Sequence, residues 1–308
     1  MEKDFDSYYQ TTLLPILEQL EAKRRTVVKN KIWLIVITLA VALVGFILAG
    51  TALPSVIALG VGFAIYLFAF NRKDGELIHA YKQEVVQKLA SDFLDDISYE
   101  PFRGLTEDTF IAIDLFNETP DRYKSEDLFS GTKDKTRYRF SEVHAEYKTE
   151  HTVTNSNGST STRTEWHDIF KGILFCADFN KHFNNTTLIK QNSFKLFGSS
   201  SRVKMEDPRF EETFDVYSQS DQEARYLLTP AFMERFAALN EHWGQDICAS
   251  FYNGELYIAI ADRNDNFEPN QWSSLLNPEK IKGELRLLYE LIGIIDSLDL
   301  NTRIWSKA

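Results

Sequence analysis

Six histidines, two cysteines and 45 carboxylates are the side chains of this 308-residue chain with the widest chemical reach. The histidines are His79, His144, His151, His167, His182 and His242. A zinc site needs several nitrogen, sulfur or carboxylate ligands converging in space. His151 and His167 flank an Asn-Gly turn, and Asp168 follows directly. If the flanking runs pair as a hairpin, His151, His167 and Asp168 are the candidate metal ligands, but surface polar side chains on a solvated ribbon are the plainer reading and no metal is assigned. Neither G-x-x-x-x-G-K-[ST] nor G-x-G-x-x-G occurs, so a phosphate-cradling loop has no support. There is no G-x-S-x-G elbow, and Gly198-Ser199-Ser200-Ser201 reads as a loop. Cys176 and Cys248 lie in ILFCADF and DICASF, apolar surroundings that suit buried free thiols. Glu206, Asp207, Glu211, Glu212 and Asp215 are abundant without being paired, and read as a solvated acidic face. Catalytic residues are therefore unassigned, and the reading leans away from an enzyme and from any cofactor.

Arg225 and Tyr226, in EARYLLTP, form the remaining candidate. Read as a short extended segment, the run turns Tyr226 inward with Leu228 and Arg225 outward. Arg225 then pairs with Asp215 or Glu223 to fix a turn, or contacts an anionic ligand.

The elements that must position these groups begin with a stretch that contains none of them. Ile32 to Phe70 runs for 39 residues without a charged side chain. A charge at the bilayer centre costs about 2.5–3.5 kcal/mol on insertion scales, so lipid selects such a run. One helix of that length would far exceed a hydrocarbon core of roughly 30 Å. Gly50-Thr51-Ala52-Leu53-Pro54-Ser55 breaks it, which predicts two helices, about Ile32–Ala49 and Val56–Phe70, with Leu53 and Pro54 able to start the second. Lys23, Arg24, Arg25, Lys29 and Lys31 precede the run, Arg72 and Lys73 follow it, and the turn is uncharged. The positive-inside rule then puts both termini in the cytoplasm. Nothing ionisable lines the hairpin, which argues against transport. Gly45, Gly60 and Gly62 permit close helix contact and hence self-association.

Residues 1–31 read as a cytoplasmic amphipathic helix from about Thr11, with Pro15 in its first turn. Residues 71–99 hold a second one, with Leu77, Tyr81, Val85, Leu89, Phe93 and Ile97 recurring every four residues. The two are expected to pack as a stalk continuing the transmembrane hairpin of residues 32–70. Residues 100–308 read as a cytoplasmic α+β domain, mainly antiparallel sheet with a C-terminal helix. Expected strands are 110–116, 138–154, 161–178, 186–190, 214–217 and 224–227, with a polar loop over 117–131. Ile247–Tyr252 and Glu255–Ala261 flank Asn253-Gly254, a strong hairpin signal. Thr229-Pro230 starts a helix that ends at Gly244, and Pro278 to Leu298 forms the last helix. Residues 1–70 carry six basic and five acidic groups, a net of +1, and the remainder 28 and 40, a net of −12, so the negative charge resides beyond the hairpin. That balance disfavours nucleic acid.

The stretches FKGILFCADFNKHFNNTTLI (170–189) and MEDPRFEETFDVYSQSDQEARYLLTPAFMERF (205–236) resemble a bacterial family of uncharacterised membrane proteins, domain of unknown function 3137, sometimes labelled galanin. The resemblance implies an inner-membrane location, and a LemA-type membrane protein as partner; it brings no catalytic residues. The functional expectation is a membrane-anchored scaffold or regulatory protein that binds the bilayer and another membrane or cytoplasmic protein. The alternatives are a tethered hydrolase-like enzyme, or a sensor of a small molecule or lipid head group, with its site in residues 100–308.

Overall fold

Gly50 lets the apolar run double back. It takes φ 66°, a left-handed conformation open to a residue without Cβ, and its N–H bonds to the Phe46 carbonyl at 3.0 Å. In the computed structural model, which describes residues 2–154, 160–192, 201–244 and 246–301, helix α2 (Leu14–Ala49) ends there and α3 (Leu53–Tyr81) begins with Pro54 in its first turn. The close approach of the two helices depends on Gly62, where a Cβ would fall 2.4 Å from the Thr38 side chain. Both helices are long and apolar enough to cross a membrane.

Helix begins earlier than the sequence suggested, at α1 (Glu2–Tyr8), and a π-helical turn (Tyr9–Leu13) leads into α2. Pro15 lacks an N–H and crowds the preceding turn, and the wider turn accommodates it. A second π-helical turn (Lys82–Val86) joins α3 to α4 (Gln87–Phe93).

The chain divides into two compact units. The first comprises Met1–Phe93 and Asn266–Arg286. Within it Phe5 and Tyr8 pack on Phe93, with ring centroids 6.1 and 4.8 Å apart, and Leu13, Leu17, Leu20, Tyr81, Val85 and Leu89 are buried. The returning segment contributes buried Leu275, Ile281 and Leu285, and Glu284 accepts the Tyr81 hydroxyl at 2.8 Å.

The second unit comprises Leu94–Asp265 and Leu287–Ala308. Its strands are β1 (Ile97–Glu100), β2 (Arg122–Lys133), β3 (Thr136–Thr154), β4 (Thr160–Asp178), β5 (Thr187–Gln191), β6 (Ser201–Val203), β7 (Phe214–Ser218), β8 (Ile247–Tyr252) and β9 (Glu255–Ala261). They form one antiparallel sheet in the order β1-β2-β3-β4-β9-β8-β5-β7-β6. The helices are α5 (Glu107–Ala112), α6 (Pro208–Thr213), α7 (Asp221–Leu227) and α8 (Pro230–Trp243). The last helix, α9 (Pro278–Ser297), has residues in both units. The architecture is α+β, with long N-terminal helices, a large antiparallel sheet and a C-terminal helix.

Three expectations are corrected. Residues 107–112 are helical, not extended, because Thr106 caps them by accepting the Thr109 N–H and two acids sit in the first turn. Residues 122–133 are strand, not loop. Residues 221–227 are helical, because Ser220 accepts the Glu223 N–H at 3.3 Å. The Asn-Gly tip and the Gly198 loop fall at residues 155–159 and 193–200, outside the described set.

The sheet separates two cores. On one face Phe110, Ile113 and Leu115 pack with Val143, Ala145, Phe170 and Leu174. On the other an aromatic ladder crosses four strands, Tyr99–Phe129–Phe140–Phe175, at 4.4, 4.9 and 6.4 Å. Farther along, Phe179, Phe232 and Phe251 pack edge-on or tilted at 4.8–6.1 Å. Phe179 and Phe232 also line the cleft described next.

Candidate functional site

Two places in the sheet unit gather functional groups. The first is built by alternation and one irregularity. His144 and Glu146 lie two apart on β3 and so share a face. Opposite them β4 carries a bulge: Ala145 pairs with Phe170 but Glu146 pairs with Asp168, leaving Ile169 as the extra residue. The bulge moves Asp168 onto the face of His144 and Glu146. His144 Nε2 lies 2.8 Å from Asp168 Oδ1, and one ligand atom from each of His144, Glu146 and Asp168 falls within 4.8 Å of the others. One nitrogen and two carboxylates suit zinc or a similar cation. Arg122 competes for that role: it donates to Glu146 at 3.0 Å, and its guanidinium lies 3.8 Å over the Trp166 ring centroid. The sequence-derived set is only partly gathered. His151 pairs across the ribbon with Arg163, whereas His167 pairs with Tyr147 and contacts Thr149 Oγ1 at 2.9 Å. His151 and His167 therefore do not converge. Asp168 meets His144 and Glu146 instead.

The second place is a cleft of about 300 Å³. The loop after β4 supplies Phe179, Asn180 and Lys181, the first turns of α8 supply Phe232 and Arg235, and the chain after α9 supplies Leu298 and Leu300. Thr229 caps α8 by accepting the Phe232 N–H, which fixes where that helix starts. Lys181 Nζ donates to the Tyr226 carbonyl at 2.5 Å and the Leu227 carbonyl at 3.3 Å, and lies 4.9 Å from the Tyr226 ring centroid. Among the described residues no carboxylate lies within ion-pair distance of it, and burial pushes its pKa below the ordinary lysine value. Arg235 pairs with Asp299 at 2.9 Å. The loop carrying Lys181 is clamped farther on, where Glu223 accepts the Asn184 N–H at 2.7 Å and the Asn185 N–H at 2.9 Å. Burial alone would raise the Glu223 pKa; these donors outweigh it and leave the carboxyl lowered.

Arg225 lies on α7, where it donates to the Lys204 carbonyl at 2.8 Å and reaches Glu206 at 3.4 Å, rather than Asp215 or Glu223. Tyr226 is exposed, so it does not turn inward. The carboxylates read as a solvated face are largely engaged. Asp207 caps α6; Arg202 bridges Glu211 and Asp215; Glu211 also accepts the Met205 N–H.

In the first unit Lys31 is almost fully buried, with Nζ 2.6 Å from both Asp74 Oδ2 and Gln271 Oε1. Arg24 and Arg25 both bind Glu21, Arg72 reaches Glu76 at 3.2 Å, and Lys73 lies 5.9 Å from the Phe70 ring centroid. Lys23 and Lys29 are exposed.

The stretch that supplies β5 to β9, α6 to α8 and the whole lining of the cleft, residues 168–300, matches the family described as "Protein of unknown function (DUF3137)". A search of curated proteins returns no match. Among solved structures, the mycobacterial trehalose monomycolate transport factor A, TtfA, is similar at 8% identity and a TM-score of 0.36, covering 70% of this chain and 95% of TtfA. Likeness at that level carries no functional argument. The DUF3137 segment includes both Lys181 and Arg235 and all of the cleft-lining residues named above, but of the metal-capable set only Asp168.

Proposed function

We propose that this DUF3137 protein is anchored in the bacterial inner membrane by residues 32–70, with both termini in the cytoplasm, and serves there as an interaction or regulatory protein. In this reading residues 2–31 and 71–93 are the cytoplasmic helical extensions of the hairpin, and the α+β part, which begins with β1 at Ile97, engages another membrane or cytoplasmic protein. The observation that carries the proposal is the hairpin's outward surface. Phe68 is 91% exposed, Leu48 81% and Ile47 68%, and their neighbours along both helices are similarly bare. A contiguous apolar surface of this kind marks a membrane or a partner. The basic residues flanking the hairpin, against a charge-free turn, support the orientation.

A cysteine at Thr51 should react with a membrane-impermeant maleimide in intact cells, and one at Ser7 only after permeabilisation. The reverse pattern overturns the orientation, and release of the protein by alkaline carbonate overturns the anchor. The family resemblance makes a LemA-type protein the first partner to look for, and the glycines of the hairpin make a second copy the next. A second reading, a sensor of a small molecule, is supported by the cleft beside Lys181.

A further inference from the structure

We propose that the cleft between the loop after β4 and the start of α8 binds an amphipathic anion, an apolar chain or ring ending in a carboxylate or phosphate. The inference rests on the sensor reading and gives it a ligand class. Three features of the cleft carry it.

The walls come first. Phe179, Phe232, Leu298 and Leu300 line the space, and the two rings belong to the packed aromatic group beneath it. Such walls take an apolar body and offer it no hydrogen bonds. Charge comes second. The charged lining groups are Lys181, Arg235 and Asp299, a local net of +1. Residues 71–308 carry 28 basic and 40 acidic groups, a net of −12, so the cleft opposes the sign of its surroundings. Arg235 is neutralised by Asp299, which leaves the Lys181 ammonium held by two backbone carbonyls and a ring face. Carbonyl oxygens orient an ammonium without cancelling its charge, so an incoming anion gains a charge-assisted hydrogen bond. Size comes third. About 300 Å³ is the small end of the range for small-molecule sites. It suits one short chain or one ring system and is too small for a two-chain lipid.

The test uses the full chain in lipid nanodiscs, titrated calorimetrically against empty nanodiscs. The probes are octanoate, octyl phosphate, octanol and inorganic phosphate. Octanoate or octyl phosphate should bind, whichever is tighter identifying the head group, and octanol and inorganic phosphate should bind at least ~10-fold more weakly. Lys181→Met should weaken the anionic amphiphile by about 10-fold, the equivalent of about 1.4 kcal/mol. Ala231→Trp, at an exposed cleft-lining position on α8, should abolish binding by filling the space. It carries the test should Lys181→Met fail to fold. No heat beyond empty nanodiscs overturns the inference, as do equal affinity for octanol and octanoate or undiminished binding by Ala231→Trp. Loss of the ligand leaves the membrane anchor standing, because maleimide labelling and carbonate extraction test that separately.

Discussion

At the base of the helical hairpin Lys31 is enclosed by Asp74 and Gln271, with three aromatic rings within 6 Å of its ammonium. In the sheet unit Lys181 meets backbone carbonyls and one ring, beside open space. The same side chain is thus used in two ways. Lys31 has its counter-charge within the chain, so its position is a matter of folding. Among the described residues Lys181 lacks one, so its charge is available to something else. Lys190 offers a third case. It is 2% exposed on β5, and desolvation pushes its pKa down to about 8.

The comparison breaks most visibly at Asp74. Asp74→Ala leaves the Lys31 ammonium buried without its carboxylate, and losing one partner of a buried pair costs about 3–5 kcal/mol. Thermal unfolding in nanodiscs should register that loss; an unchanged midpoint would mean that Gln271 alone suffices. Lys190→Met should act in the opposite direction and stabilise by about 3 kcal/mol at pH 7. The sign follows from linkage: the site titrates near 8 when folded and near 10.5 when unfolded. Over that interval the unfolded chain holds more protons, so the site's contribution to stability rises with pH. The advantage of the methionine should therefore shrink between pH 8 and 10.5, and a gap constant with pH would rule out this account. Lys181→Met should have the smallest effect, within about 0.5 kcal/mol, because no ion pair is lost. A large destabilisation there would make Lys181 a second Lys31.

Local signals made much of the framework legible. The charge-free run, the Asn253-Gly254 turn with positive φ at both residues, and the Thr229-Pro230 start each depend on neighbours in sequence. Residues 107–112 misled because Phe110-Ile-Ala-Ile is a short apolar run rich in β-branched residues, like a buried strand, whereas Thr106 and two acids were enough to start a helix. Ser220 and Glu223 stand in capping-box spacing, a signal that could have identified α7. The return of Asn266–Arg286 to the helices had no such mark, since its bonds to Glu21, Lys31 and Tyr81 span most of the chain. The candidate sites were hidden for the same reason. Lys181, Arg235 and Leu300 converge only through the fold, and Asp168 reaches His144 only because one bulge changes the face it occupies.

The sheet order sets a schedule for synthesis. β4 is made long before its second neighbour, β9, since Gly172–Asp178 pairs with Glu255–Ala261. Until β9 leaves the ribosome, the nascent chain presents an open strand edge bearing Ile173, Leu174 and Phe175, the kind of surface on which chains aggregate. The helical hairpin emerges earlier and is free to reach lipid first. On the proposed anchoring, the edge of β4 waits for its partner on a chain already tethered to the bilayer.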